Sequence, residues 1–187
     1  MKPAAACLLA LMWLSCFSAA ANTPNLLLIY VDDLGYGDLG HYGHPVIQTP
    51  NIDQLAASGV TLTQYYAPSP LCSPSRAALL TGRHPYRTGI QSWIPHGSGI
   101  HLKDEELTLA EMLADNGYQT ALIGKWHLNS DLGDPGQPQP NDQGFEYFYG
   151  HNAFQIPTNR NPTNIYRNRE ALPTQIGYTA QLYADES

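Results

Sequence analysis

Residues 25–31 (N-L-L-L-I-Y-V) form an unbroken apolar run that stops at Asp32-Asp33 and is followed by glycines. A run without polar alternation predicts a strand buried on both faces, as in a parallel sheet. Thr49-Pro50-Asn51 then offers a cap residue and a proline for the first helical position, and Gly59 offers a stop, so a helix is expected between them. Residues 60–66 alternate as a strand does. Pro68 and Pro70 turn the chain into L-C-S-P-S-R-A-A-L-L-T-G-R at 71–83, a short apolar helix pattern. Pro74 suits its first turn, where a missing N–H costs nothing, and Gly82 suits the residue just past its end.

Thr108-Leu109-Ala110-Glu111 reads as a capping box opening a helix that ends at Asn116-Gly117. Residues 118–123 predict the next strand, which leads into Gly124-Lys125-Trp126-His127. Residues 131–143 are rich in Pro, Gly and Asp and read as a loop. Beyond Phe154 the chain turns polar and irregular. Residues 178–187 begin a helical pattern without a cap or a finished apolar face, so the chain reads as truncated. Strands alternating with helices predict an α/β fold with a mostly parallel sheet sandwiched by helices.

The N-terminus has a different character. Lys2 supplies a positive charge, residues 8–17 an apolar core, and Ala19-Ala20-Ala21 a small-residue cleavage site. Residues 1–21 are thus expected to be a signal peptide, with export to the periplasm or outside the cell. The apolar run is shorter than the roughly 20 residues a membrane span needs, so no stable membrane span is expected. Ser15-Cys16 is a weak lipoprotein site that Trp13 and Leu14 fit poorly. Cleavage removes two of the three cysteines, Cys7 and Cys16, and leaves Cys72 alone, with no intrachain disulfide to form.

The formal charge of −7 comes without a basic run, which argues against nucleic acid as a partner. An anionic ligand remains compatible if Arg76, Arg83 and Lys125 are gathered locally, or if a divalent cation helps. Cys72 falls at a helix N-terminus, where backbone N–H groups and the dipole favour an anion, and Arg76 adds a fixed positive charge one turn further in. A lone cysteine is ordinarily a buried thiol, and an Asp-Asp pair at a strand end is ordinarily a turn. Two adjacent carboxylates can also turn toward one hard cation. Lys125 and His127, two residues apart, share a side of an extended segment, with Trp126 on the other. The tyrosines and tryptophans suit either a carbohydrate platform or packing, and the remaining histidines, His41, His44, His84, His96, His101 and His151, are expected to be exposed in loops.

Cys72, Pro74 and Arg76 together make C-x-P-x-R, followed by L-T-G-R. This string resembles the signature of the sulfatases, whose motif cysteine is oxidised after synthesis to formylglycine. The resemblance extends from Asn25 to the end of the chain. It runs through V-D-D-L-G-Y-G-D-L-G, T-P-N-I-D-Q-L-A-A-S-G, D-N-G-Y-Q-T-A-L-I-G-K-W-H and D-Q-G-F-E-Y-F-Y-G, and is of arylsulfatase A-like quality.

The resemblance implies an alkaline phosphatase-like fold, with residues 22–187 as the N-terminal part of the catalytic domain, incomplete at its C-terminus. It implies hydrolysis of sulfate esters. Asp32 and Asp33 become ligands of a calcium ion, with magnesium as an alternative, and modified Cys72 supplies another oxygen. Lys125 and Arg76 bind the sulfate, His127 assists proton transfer, and Arg83 supports the motif. The hydrated aldehyde attacks sulfur through one hydroxyl, and deprotonation of the other releases sulfate and restores the aldehyde.

The implied partners are a sulfated carbohydrate or other sulfate ester, and a formylglycine-generating enzyme during maturation. The family's second metal-binding pair, a further histidine and a further lysine come from later sequence and have no counterpart here, so residues 22–187 alone are expected to be weakly active or inactive. Two other readings stand beside this one. They are a phosphate or phosphonate monoester hydrolase of the same superfamily, and a non-catalytic calcium- or glycan-binding protein.

Overall fold

The computed structural model describes residues 23–187, and the signal peptide read at residues 1–21 lies outside them. The chain divides into two compact units, Met1–Leu55 and Ala56–Ser187.

In the first unit residues 25–31 belong to no strand, and Leu27 is 84% exposed. The buried strand expected here is therefore not formed. An apolar run becomes a strand only when a neighbour takes up its backbone N–H and C=O groups, and the described residues of this unit include no strand to do so. Two single turns of 3-10 helix follow, Tyr36–Asp38 and Gly40–Tyr42. Helix α1 (Pro50–Ser58) opens where the Thr49-Pro50 pair places it. The Thr49 hydroxyl accepts from Gly40 N–H at 2.9 Å and donates to the Asp53 carboxylate at 2.7 Å, tying the 3-10 turn to the helix start.

The second unit holds helices α2 (Cys72–Thr81), α3 (Pro85–Thr88), α4 (Leu109–Asp115) and α5 (Thr179–Glu186). Its strands are β1 (Ala121–Lys125), β2 (Tyr147–His151), β3 (Tyr166–Arg167) and β4 (Glu170–Ala171). They form one sheet in the order β1-β2-β3-β4. The longer pair, β1 and β2, is parallel, and the short β3–β4 hairpin extends it antiparallel. The α/β class is as the sequence predicts. Residues 60–66, in contrast, form no strand, and Leu62 and Tyr66 are exposed. Alternation specifies a strand only where one face is packed, and here all but the half-buried Thr61 are exposed.

Local signals set the helix ends. Gly82 takes a left-handed φ of 63° and donates its N–H to Ala78 O at 2.9 Å, closing α2. Thr108 and Glu111 form the expected reciprocal capping box at the start of α4. The core joins Ala77 of α2, Ile90, Ile94, Leu102, Ala110 of α4, Trp126, Leu128, Phe145 and Phe148 of β2. It thus clamps the cysteine-bearing helix against the far end of β1. Gly124 and Gly150 face each other in the β1–β2 register. A Cβ on Gly150 would run into the Gly124 carbonyl oxygen, so this crossing tolerates no side chain there. Helix α5 packs on β1 and β2.

Candidate active site

Leu71 is extended, with φ −116° and ψ 148°, and caps α2 without a side-chain bond. Cys72 is therefore the first helical residue, half-buried, and Ser73, Pro74 and Ser75 behind it are buried. First-turn N–H groups have no partner within their own helix, so this end suits an anion. Cys72 is the single free cysteine among the described residues.

Arg76, half-buried one turn further along, donates from Nη1 to the backbone oxygen of Lys125 at 2.8 Å. This bond joins residues 49 apart in sequence and brings the cysteine motif to the end of β1. A second link runs deeper. Ile94 N–H donates to Ser73 Oγ at 3.0 Å, and Ile94 O accepts from His127 Nε2, also at 3.0 Å. Ser73 is fully buried and Ile94 nearly so. The helix that starts at Cys72 is thereby connected through one loop residue to the histidine.

His127 itself is 0% exposed and has φ 53°. The extended geometry expected for Lys125-Trp126-His127 therefore breaks at the histidine. Trp126 enters the core at 1% exposure, and its N–H donates to His151 O at 2.9 Å. His127 N–H then turns to Asn152 Oδ1 at 3.1 Å. A left-handed backbone on a non-glycine residue costs of order 1 kcal/mol and persists only where surrounding bonds impose it. Lys125 and His127 still share a neighbour. The Lys125 ammonium lies 5.6 Å from the Phe154 ring centroid, and the His127 ring lies 6.4 Å from it. Trp93 stands 6.3 Å from the same imidazole.

A backbone carbonyl can only accept, so Nε2 carries the hydrogen in the bond to Ile94. In the neutral ring Nδ1 is then the basic nitrogen. The arrangement offers an anion-favouring helix start, two cations at the same strand end, and a histidine of fixed tautomer.

Asp32 and Asp33 follow the apolar run of the first unit in a turn, both exposed, Asp33 with φ 57°. As adjacent carboxylates they offer the hard oxygen donors that calcium or magnesium takes. Arg83 donates from Nη1 to both carboxylate oxygens of the buried Glu106, at 2.8 and 2.6 Å, so it braces the end of α2.

Several residues that shape this region carry no mark in the sequence. Ser73, Ile94 and Asn152 act through hydrogen bonds that no pattern announces. His151 is not the exposed loop histidine that its surroundings predict. It is 2% exposed at the end of β2, paired in register with Lys125. Its Nδ1 bonds Tyr183 Oη, and burial pushes that tyrosine's hydroxyl well above its usual value. The F-E-Y-F-Y-G-H stretch is the one available signal, since aromatic residues favour strands.

A family model described as Sulfatase matches residues 24–186. Human steryl-sulfatase is 51% identical over 141 residues, 71% of this chain and 24% of the relative. Bovine arylsulfatase A is 54% identical over 135 residues, 71% of this chain and 26% of the relative. The crystal structure of Ps i-CgsB in complex with k-i-k-neocarrahexaose superposes with a TM-score of 0.70 at 31% identity, over 83% of this chain and 38% of that one. The chain thus spans about a quarter of the length of these curated relatives.

Proposed function

This chain belongs to the sulfatase family, and we propose that the intact protein hydrolyses sulfate esters at a site centred on residue 72. The observation that carries the reading is the bond from Arg76 to the Lys125 carbonyl, which joins two distant sulfatase motifs beside the Cys72 helix start.

Conversion of Cys72 to formylglycine by a formylglycine-generating enzyme would supply a hydrated aldehyde, an oxygen nucleophile for sulfur. Asp32, Asp33 and the oxygen at 72 would hold calcium, or magnesium in its place, which would supply positive charge against the sulfate. The remaining work falls to this chain's own groups. Arg76 and Lys125 neutralise the charge on the sulfate oxygens, an effect that grows as the ester bond breaks. His127, with Nε2 committed to Ile94, has Nδ1 to hold or give the proton that the departing alcohol takes. Residues 22–187 form the N-terminal part of the catalytic domain in this reading. The chain is exported after loss of residues 1–21, and among the described residues no helix is long and apolar enough to cross a membrane. Steryl and aryl sulfates are the substrate classes in view, since two of the similar proteins bear those names, with carbohydrate sulfates beside them, since the similar Ps i-CgsB structure is a complex with k-i-k-neocarrahexaose.

The test is turnover of an aryl sulfate and an aryl phosphate by the intact protein, produced with and without a formylglycine-generating enzyme. The expected result is hydrolysis of the sulfate, only after modification and lost on Cys72→Ala. Preference for the phosphate ester would transfer the site to phosphoryl chemistry. Calcium binding without hydrolysis of either would leave a binding protein.

A further inference from the structure

We propose that Trp93 and Phe154 form the surface that receives the organic half of the ester, and that they select substrates carrying a six-membered ring. This rests on the sulfatase reading above. The two aromatic rings flank His127 at 6.3 and 6.4 Å between centroids, tilted by 59° and 55°. The imidazole that both rings adjoin is fully buried, whereas Trp93 is 43% and Phe154 62% exposed. They are thus the solvent-facing cover of the histidine that the leaving alcohol must approach. Large exposed aromatics are costly to hydrate, and two beside one buried polar ring invite a ligand with a flat apolar face.

The Lys125 ammonium, 5.6 Å from the Phe154 centroid, sets the direction of entry. A sulfate drawn to Lys125 leaves the attached carbon skeleton beside Phe154 and Trp93. Both the C–H face of a pyranose and the π face of an aryl or steroid ring match such walls. A linear alkyl chain makes less use of them. Trp93 is held by its neighbour Ile94, whose backbone bonds both Ser73 and His127, so the aromatic position is tied to the site's own framework.

The experiment compares the intact protein with Trp93→Ala, Phe154→Ala and the conservative Trp93→Phe. The probes are 4-nitrophenyl sulfate, galactose 6-sulfate and hexyl sulfate. Affinities are measured by calorimetry on protein with Cys72 unmodified, and kcat/KM on the modified enzyme. The ratio of ring to linear ester, in Kd and in kcat/KM, is expected to fall about tenfold in each alanine variant and to recover in Trp93→Phe. The ring ester that loses the more identifies the source as aryl or sugar. An unchanged ratio in both alanine variants, or no binding of either ring ester to the wild type, overturns the proposal. Ring-selective binding with no hydrolysis of any ester would sink the sulfatase reading while leaving this assignment standing.

Discussion

His127 Nε2 donates to the carbonyl oxygen of Ile94 at 3.0 Å, and Ile94 N–H in turn donates to Ser73, the residue after the motif cysteine. The histidine's tautomer and the position of the Cys72 helix start are therefore set by the same loop residue. His127→Ala is expected to lower kcat of the intact, modified enzyme by about 10²–10⁴-fold, the usual range for a lost general acid or base. Steady-state kinetics on an aryl sulfate would check this. Because the change strands a buried carbonyl, a loss of about 1–3 kcal/mol of stability should accompany it. A kcat within a factor of about three of wild type would remove His127 from proton transfer.

Arg76 bonds the Lys125 carbonyl and, in the proposed reading, also neutralises the sulfate. Arg76→Ala should cost about 1.5–3 kcal/mol of stability, as expected for a hydrogen bond from a charged group. It should also lower kcat/KM by more than Arg76→Lys does. Urea denaturation beside kinetics separates the two effects. Activity loss without any shift in the urea midpoint would mean that the bond to Lys125 contributes nothing to the fold.

Gly150→Ala should destabilise the second unit by about 3 kcal/mol or more, since the added methyl meets the Gly124 carbonyl oxygen and backbone must move to admit it. Gly37→Ala is the control, since an added methyl there meets nothing within 4 Å. Its expected change is under about 0.5 kcal/mol. Equal midpoints for the two variants in urea would contradict the close approach of β1 and β2.

Helix α5 is anchored to the sheet through Glu186, which accepts from Tyr147 Oη and pairs with Arg167 Nη2 at 2.9 Å. Burial works to raise the Glu186 carboxyl, but the bonds from Tyr147 and Arg167 outweigh it and hold the group below its usual value. A folded-state pKa below the unfolded value adds stability above the unfolded pKa, about 4.3, and loses it as pH falls through the folded pKa. Glu186→Gln should lower the urea midpoint at pH 7 by the equivalent of roughly 0.5 kcal/mol, the pair being partly exposed. At pH 3 the gap from wild type should shrink. A gap that widens toward acid would reverse the assigned sign.

Helix boundaries are the most legible part of this chain, because each rests on a residue with one local job. Thr49-Pro50, Gly82 and the Thr108–Glu111 box all stand where their chemistry places them. Strands are less legible. The apolar run 25–31 and the alternating run 60–66 carry strand patterns yet form no strand, whereas β2 forms without so clear a pattern. Hydrogen bonding between distant segments decides a strand, and no local pattern contains it. In the site, Cys72, Arg76, Lys125 and His127 all stand out from motifs. The left-handed turn at His127, the Ser73–Ile94 connection and the buried His151 depend on tertiary contacts that the spacing of residues does not encode.

The proposal that residue 72 works as an aldehyde is tested most directly by peptide mass spectrometry of the intact protein, produced alongside a formylglycine-generating enzyme and treated with a carbonyl-reactive label. The segment containing residues 71–83 should carry the label at position 72 and lack a thiol there. A peptide that retains an alkylatable thiol at Cys72, in protein that still hydrolyses aryl sulfate, would contradict it.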